Sequence, residues 1–261
     1  MKKMLVVISV VILSAYSTSL SHGSEPRETQ SLRTSETGAT PIDIVQTPSD
    51  ATLKGMSAYN KGDFQTAYQH LRQAAEAGDP EGLVNLGYLY ARGHGVDADQ
   101  MEALRLYRLS AKAGSSEGMN AIGYKYLHST GVAKDLDQAK FWFCQAIARG
   151  NPRAMNNIAF MLVTGELPMD ELEARSLWMQ AAELGHANAM INLGFSFLNG
   201  RDRDPQKARE WLIRAAEAGN SRAQDFLRAR GYVGTLPPPI DVGDMMKSEP
   251  KRAVGQTKMC R

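Results

Sequence analysis

The central part of the chain repeats one pattern of small, apolar and polar residues with a period near 35. In each unit, apolar residues fall three and four positions apart, as at Ala139, Trp142, Phe143 and Ala146, and this spacing predicts one buried face on each helix. A glycine closes each unit, and successive glycines are 36, 36, 35 and 34 residues apart: Gly78, Gly114, Gly150, Gly185 and Gly219. The pattern therefore predicts a repeated helical hairpin.

Capping residues predict where the helices end and begin. Each closing glycine is suited to the left-handed conformation that ends a helix. The sequences Asp79-Pro80 and Asn151-Pro152 follow two of these glycines and are typical of a helix start. Other glycines lie inside the predicted helices and indicate close approach of a neighbouring helix: Gly87, Gly123 and Gly194.

Three motifs recur in register along the repeats. They are Ala-x3-Leu-Gly-x2-Tyr, a Gly-Val turn as at Gly95-Val96, and Ala-x2-Trp-x3-Ala-Ala-Glu-x-Gly, and the third unit departs from them with Ala159 where glycine is usual. Together they resemble the Sel1-like repeat, a relative of the tetratricopeptide repeat, over roughly residues 51–231. The resemblance implies an all-α fold: a right-handed α-solenoid of about five helical hairpins plus a C-terminal capping helix. It also implies a concave face that binds extended protein segments, and no cofactor.

The two ends of the chain differ in composition from the repeats. Residues 1–23 begin with two lysines, continue as a short apolar run and end in small polar residues, which predicts a signal peptide. The run is too short to span a bilayer readily, so we expect no stable membrane insertion after signal cleavage, although an uncleaved anchor is the alternative. Residues 24–50 are predicted to be a disordered linker, and residues 232–261 a disordered tail containing prolines. The expected location is the periplasm or the secreted fraction.

Charge and motif content argue against several functions. The formal net charge is +2, and Lys2 and Lys3 account for it, so no basic field indicates a nucleic-acid partner. The histidines and cysteines lack metal-ligand spacing, and no serine-nucleophile motif occurs, so we expect neither a metal site nor catalysis. His94 and His186 fall in predicted turns, where exposed side chains are expected.

Asparagine and aromatic residues stand beside the Leu-Gly step in several units. By the related tetratricopeptide register, these positions approach the concave face. An asparagine amide both donates and accepts hydrogen bonds, so a row of them can hold the backbone of an extended peptide, with rings forming apolar pockets between them. Packing between helices is the alternative role for the same side chains. The candidates are Asn85, Tyr88, Asn120, Tyr124, Asn156, Asn157, Phe160, Asn192 and Phe195.

The chain has two cysteines, Cys144 in the repeats and Cys260 in the tail. In an oxidising compartment they either form a disulfide that ties the tail to the repeats or stay as independent thiols.

These features favour a non-enzymatic, exported scaffold or adaptor that binds a segment of an envelope partner in its concave groove. The partner would be a regulator, a secretion component or an assembly component. One alternative is an envelope hydrolase of the β-lactam-binding type, as in cysteine-rich relatives. Those relatives carry a pair of cysteines in each repeat, whereas this chain has a single repeat cysteine, Cys144. The other alternative is a secreted factor that interacts with a host.

Overall fold

A computed structural model of the chain describes residues 47–230 and 257–260. These residues form eleven α-helices and no strand, and the fold is an all-α repeat solenoid. The helices are α1 (Asp50–Asn60), α2 (Phe64–Glu76), α3 (Pro80–Arg92), α4 (Gln100–Lys112), α5 (Ser116–His128), α6 (Leu136–Ile147), α7 (Pro152–Thr164), α8 (Glu171–Glu183), α9 (Ala187–Asn199), α10 (Pro205–Glu217) and α11 (Ser221–Ala229). The first ten make five hairpins and α11 follows as the capping helix, so the predicted architecture is confirmed.

The predicted signal peptide at residues 1–23 lies outside the described residues, as does most of the predicted linker and tail. The last residues of the linker and part of the tail do belong to the fold. Ser49 caps α1, which begins at Asp50, so the last linker residues are part of the first repeat. Residues 258–260 form a short 3-10 helix against the repeats, which departs from the expectation of disorder for that part of the tail.

Short polar side chains start the helices as the capping sequences predict. Asp79 accepts a hydrogen bond from the Glu81 backbone N–H, and Asn151 accepts one from Ala154. Such bonds satisfy backbone donors that have no partner within the helix. The five closing glycines all adopt left-handed φ values, between 75° and 92°. Each hairpin therefore ends in a conformation that only glycine adopts at little cost.

Small residues let the two helices of a hairpin pack closely. A Cβ atom added to Gly87 would lie 2.7 Å from the Tyr107 ring, and one added to Gly123 would lie 2.7 Å from the Phe143 ring. Ala159 occupies the corresponding position of α7 and is fully buried. The core of the repeats thus depends on backbone-to-ring contacts that a larger side chain would prevent.

Alternate helices form two rows. We call α1, α3, α5, α7, α9 and α11 the odd-helix row, and α2, α4, α6, α8 and α10 the even-helix row. Helix α3 contacts both α1 and α5. Side-chain contacts continue the odd-helix row from α5 to α7, from α7 to α9 and from α9 to α11. This continuous row carries all the candidate binding residues.

Candidate functional site

Four of the five candidate asparagines meet in pairs across the odd-helix row. The Asn157 amide on α7 donates to the Asn120 carbonyl oxygen on α5 at 3.0 Å. The Asn192 amide on α9 donates to the Asn156 carbonyl oxygen on α7 at 2.9 Å. Each pair uses one donor and one acceptor, so Asn120 and Asn156 retain amide N–H groups, and Asn157 and Asn192 retain carbonyl oxygens. The asparagines therefore join neighbouring repeats, which is the packing role given above as the alternative, and Asn156, Asn157 and Asn192 stay half-buried with hydrogen-bonding capacity left.

Asn85 does not take part in this network. Its amide donates to the Glu81 carbonyl oxygen of its own helix at 2.9 Å, and the side chain is half-buried. The corresponding position in α5 is Ala121, so no amide stands there to bond with Asn85. The sequence-predicted row of amides is thus continuous from α5 to α9 and interrupted between α3 and α5.

The candidate aromatic residues pack along the same row. Tyr88 on α3 makes an edge contact with Tyr59 on α1, with ring centroids 5.8 Å apart. Phe195 on α9 makes an edge contact with Phe226 on α11 at 5.2 Å. Tyr124, in contrast, contacts His128 of its own helix at 4.1 Å. These three rings and Phe160 are half-buried, so part of each side chain remains accessible to a ligand.

On four of the odd-numbered helices, a charged residue lies one helical turn before the position that holds Asn85 on α3 and Asn157 on α7, and on α9 the uncharged Asn188 lies there. Glu81 on α3 and Glu117 on α5 are acidic, whereas Arg153 on α7 and Arg222 on α11 are basic. Burial and the nearby charges of Asp79 and Glu117 raise the pKa of Glu81. Arg153 lies 3.7 Å from Glu117 and marks the point where the sign changes. Residues four apart share a helix face, so this helix position is acidic on α3 and α5 and basic on α7 and α11. Arg92 adds a positive charge at the end of α3, 5.4 Å from the centre of the Tyr88 ring.

The two turn histidines are not exposed as predicted. His94 is half-buried and stacks on Phe64, with ring centroids 4.3 Å apart. His186 caps α9, and its Nδ1 accepts a hydrogen bond from the Ala189 backbone N–H at 3.2 Å. Burial, together with the positive charge of Arg153, lowers the pKa of His186 to about 4. The expectation of exposure was wrong: both histidines are half-buried, His94 through its contact with Phe64 of the first repeat and His186 through its capping position.

The capping role of His186 was detectable from the repeat register. The corresponding positions in the other units hold Asp79, Ser115, Asn151 and Asn220, which are all helix-capping residues. A histidine aligned with four such residues indicates a neutral imidazole used as an acceptor.

The two cysteines form a disulfide in the structure, across 116 residues of sequence. Cys144 lies on α6 and Cys260 in the 3-10 helix, so the bond is on the even-helix row, away from the asparagine pairs. Met259 and Cys260 pack against the main core cluster. Of the two alternatives that the sequence left open, the structure contains the disulfide.

Residues 47–230 and 257–260 show neither a metal-ligand cluster nor a helix that could cross a membrane. No three His, Cys, Asp or Glu side chains come together there as metal ligands. No helix in the same ranges combines the length and the apolar character that crossing a bilayer requires.

Five stacked helical hairpins with a row of amides and rings define a helical-repeat scaffold. The Sel1 repeat family matches residues 55–79, 80–115, 116–151, 152–186 and 187–220, so the chain belongs to that family. Proteins of this family are protein–protein interaction scaffolds and are generally non-enzymatic. A comparison with curated proteins found no match.

Solved structures share this fold. A Sel1 repeat protein from Oxalobacter formigenes is 31% identical, with the match covering 67% of this chain and 73% of that chain at a TM-score of 0.59. A Sel1 repeat protein from Klebsiella pneumoniae is 22% identical, with coverages of 69% and 90% and a TM-score of 0.50. The immunity protein Pa5087 from Pseudomonas aeruginosa is 20% identical, with coverages of 76% and 76% and a TM-score of 0.58. The last two similarities concern the fold alone.

Proposed function

We propose that this protein is an exported, non-enzymatic scaffold that holds an extended segment of an envelope partner along the odd-helix row. The observation that carries the proposal is the pair of inter-repeat asparagine contacts, Asn120 with Asn157 and Asn156 with Asn192. These contacts fix the orientation of four amides. Asn156, Asn157 and Asn192 are half-buried and keep a donor or an acceptor for a peptide backbone, whereas Asn120 is 9% exposed. Amides fixed before binding lose little conformational freedom when a ligand binds.

The charge gradient along the row gives the bound segment a direction. Glu81 and Glu117 favour basic residues at the α3–α5 end, and Arg153 and Arg222 favour acidic residues at the other end. The half-buried rings of Tyr88, Tyr124, Phe160 and Phe195 would accept apolar side chains between these ends.

Export is the second part of the proposal. It is supported by the signal-peptide pattern in residues 1–23 and by the disulfide, because structural disulfides persist in oxidising compartments. Cell fractionation of the full chain, with N-terminal mass analysis of the mature protein, tests this part. Retention of residues 1–23 on a cytoplasmic protein would contradict it.

Site-directed photo-crosslinking in intact cells tests the binding face. A photoreactive residue at position 124 or 160 is expected to crosslink an extended partner segment, with its basic residues mapping nearer to α3. The matched control is position 101 on α4, where Met101 is 62% exposed on the even-helix row. Crosslinks at position 101 and none at positions 124 and 160 would reject the face.

Asparagine variants separate recognition from stability. Asn85→Ala removes an amide that bonds only within its own helix, so we expect weaker crosslinking with unchanged thermal stability. The triple change of Asn85, Asn157 and Asn192 to Ala also breaks both inter-repeat pairs, so both crosslinking and stability should fall. Gln73→Ala, which removes an exposed amide from α2 of the even-helix row, is the control. Unchanged crosslinking by the triple variant would overturn the assignment, and turnover of nitrocefin by the purified protein would contradict a non-enzymatic role.

A further inference from the structure

The C-terminal segment 257–260 occupies a defined place on the even-helix row. The Thr257 hydroxyl donates a hydrogen bond to the Glu173 carboxylate at the start of α8. The same hydroxyl accepts a hydrogen bond from the Met259 backbone N–H at 3.2 Å. One residue further on, Cys260 is bonded to Cys144 of α6. The segment therefore bridges two consecutive even-numbered helices, and we call this place the α6–α8 site.

Glu173, which bonds to the segment, is more buried than the residues at the same position of other even-numbered helices. Glu173 is the third residue of α8 and is 2% exposed. The residues at the same position of α4, α6 and α10 are Glu102, Gln138 and Lys207, and all three are half-buried or exposed. Thr257, its partner, is 3% exposed. In α4, α6 and α10 this helix position is more accessible than in α8, where Thr257 bonds to the carboxylate.

The covalent bond holds the segment in place. Fixing the backbone of residues 257–260 on the repeats costs conformational entropy at each residue. Burying the Glu173 carboxylate adds a desolvation cost, which hydration of the open site would relieve. The disulfide keeps the segment beside its site and so offsets both costs. Without the bond, the balance favours release.

We propose that the α6–α8 site is a second docking site, occupied by the chain's own C-terminal segment and opened by reduction of the Cys144–Cys260 disulfide. The step is a thiol–disulfide exchange with a dithiol reductant. The dithiol supplies two electrons and two protons, the S–S bond breaks, both cysteines become thiols, and the reductant becomes a disulfide. Both cysteines are half-buried rather than enclosed, so the reductant can reach them. This inference is independent of binding on the odd-helix row.

Carboxylate footprinting of the full-length protein tests the proposal. A carbodiimide and an amine label accessible carboxylates, and mass spectrometry reads the extent at Glu173. Glu102 is the internal control, since it holds the same helix position with a side chain that is 28% exposed. Reduction with a dithiol, followed by removal of the dithiol under argon, is expected to raise the labelling of Glu173 to the level of Glu102, because the burial of Glu173 is lost.

Cysteine variants make the outcome decisive. The Cys144→Ser/Cys260→Ser protein should show the high labelling of Glu173 without any reductant. If this double variant folds poorly, Cys260→Ser alone replaces it, and the same high labelling is expected. Unchanged far-UV circular dichroism and unchanged labelling of Glu102 show that the repeats are intact. Protection of Glu173 in the reduced protein would overturn redox control. Strong labelling of Glu173 in the oxidised protein would overturn docking itself.

Discussion

Replacing His186 by Asn is expected to remove an acid-sensitive contribution to the stability of the repeats. His186 caps α9 through Nδ1, which accepts a hydrogen bond from the Ala189 backbone N–H. A protonated imidazole has no acceptor, so protonation would break the cap. Asn keeps the cap without a titrating group, and Asn151 and Asn220 already serve this role in other repeats.

The magnitude follows from the pKa of His186 in the folded chain. Burial and the charge of Arg153 lower this pKa from 6.5 to about 4. The folded protein therefore resists protonation that the unfolded chain accepts, so stability is full above pH 6.5 and falls as the pH approaches 4. The total loss is at most about 3 kcal/mol, and about 2 kcal/mol of it is reached by pH 5.

Urea unfolding at pH 7.5 and pH 5 measures this contribution. The free energy of unfolding of the native chain should fall by about 2 kcal/mol more than that of His186→Asn between these two pH values. Carboxylates titrate equally in both proteins and cancel in the comparison. Asn151→Ser, an exchange of one cap for another, controls for the change of cap and should follow the native chain. Equal pH dependence of the native chain and His186→Asn would refute the reasoning, as would an imidazole pKa near 6.5 in an NMR titration of the folded protein.

Two further changes test the packing of the repeats. Cys144→Ser should lower the free energy of unfolding in urea by up to about 4 kcal/mol relative to the oxidised chain, because the disulfide closes a loop across 116 residues, and an unchanged midpoint would contradict this. Gly123→Ala should lower it by about 1–3 kcal/mol, because its Cβ would lie 2.7 Å from the Phe143 ring. Ala159→Gly is the matched reverse change and should cost about 1 kcal/mol through helix propensity. Thermal melts followed by circular dichroism check both glycine-related changes, and a Gly123→Ala protein as stable as the native chain would show that the ring moves aside.

Much of the fold was predictable because its signals are local. The closing glycines, the capping Asp79 and Asn151, and the three- and four-residue spacing of apolar positions act within a single hairpin. The period of the glycines also predicts that hairpins adjacent in sequence stack on each other, since each unit can bury its apolar face only against the next. The candidate face was predictable only as a set of positions. Which asparagines would pair depended on contacts between residues such as Asn120 and Asn157, which belong to different repeats.

The sequence by itself determined the helices, their boundaries, the number of repeats and the helix that caps them. Only the tertiary structure decided the environment of individual side chains. It partly buried His186 near the charge of Arg153, joined Asn156 to Asn192, and brought Thr257 to Glu173 across 84 residues of sequence. The physical reason is that helix formation and capping depend on neighbours within one or two turns, whereas burial, pairing and disulfide formation depend on residues that meet only after the repeats have stacked.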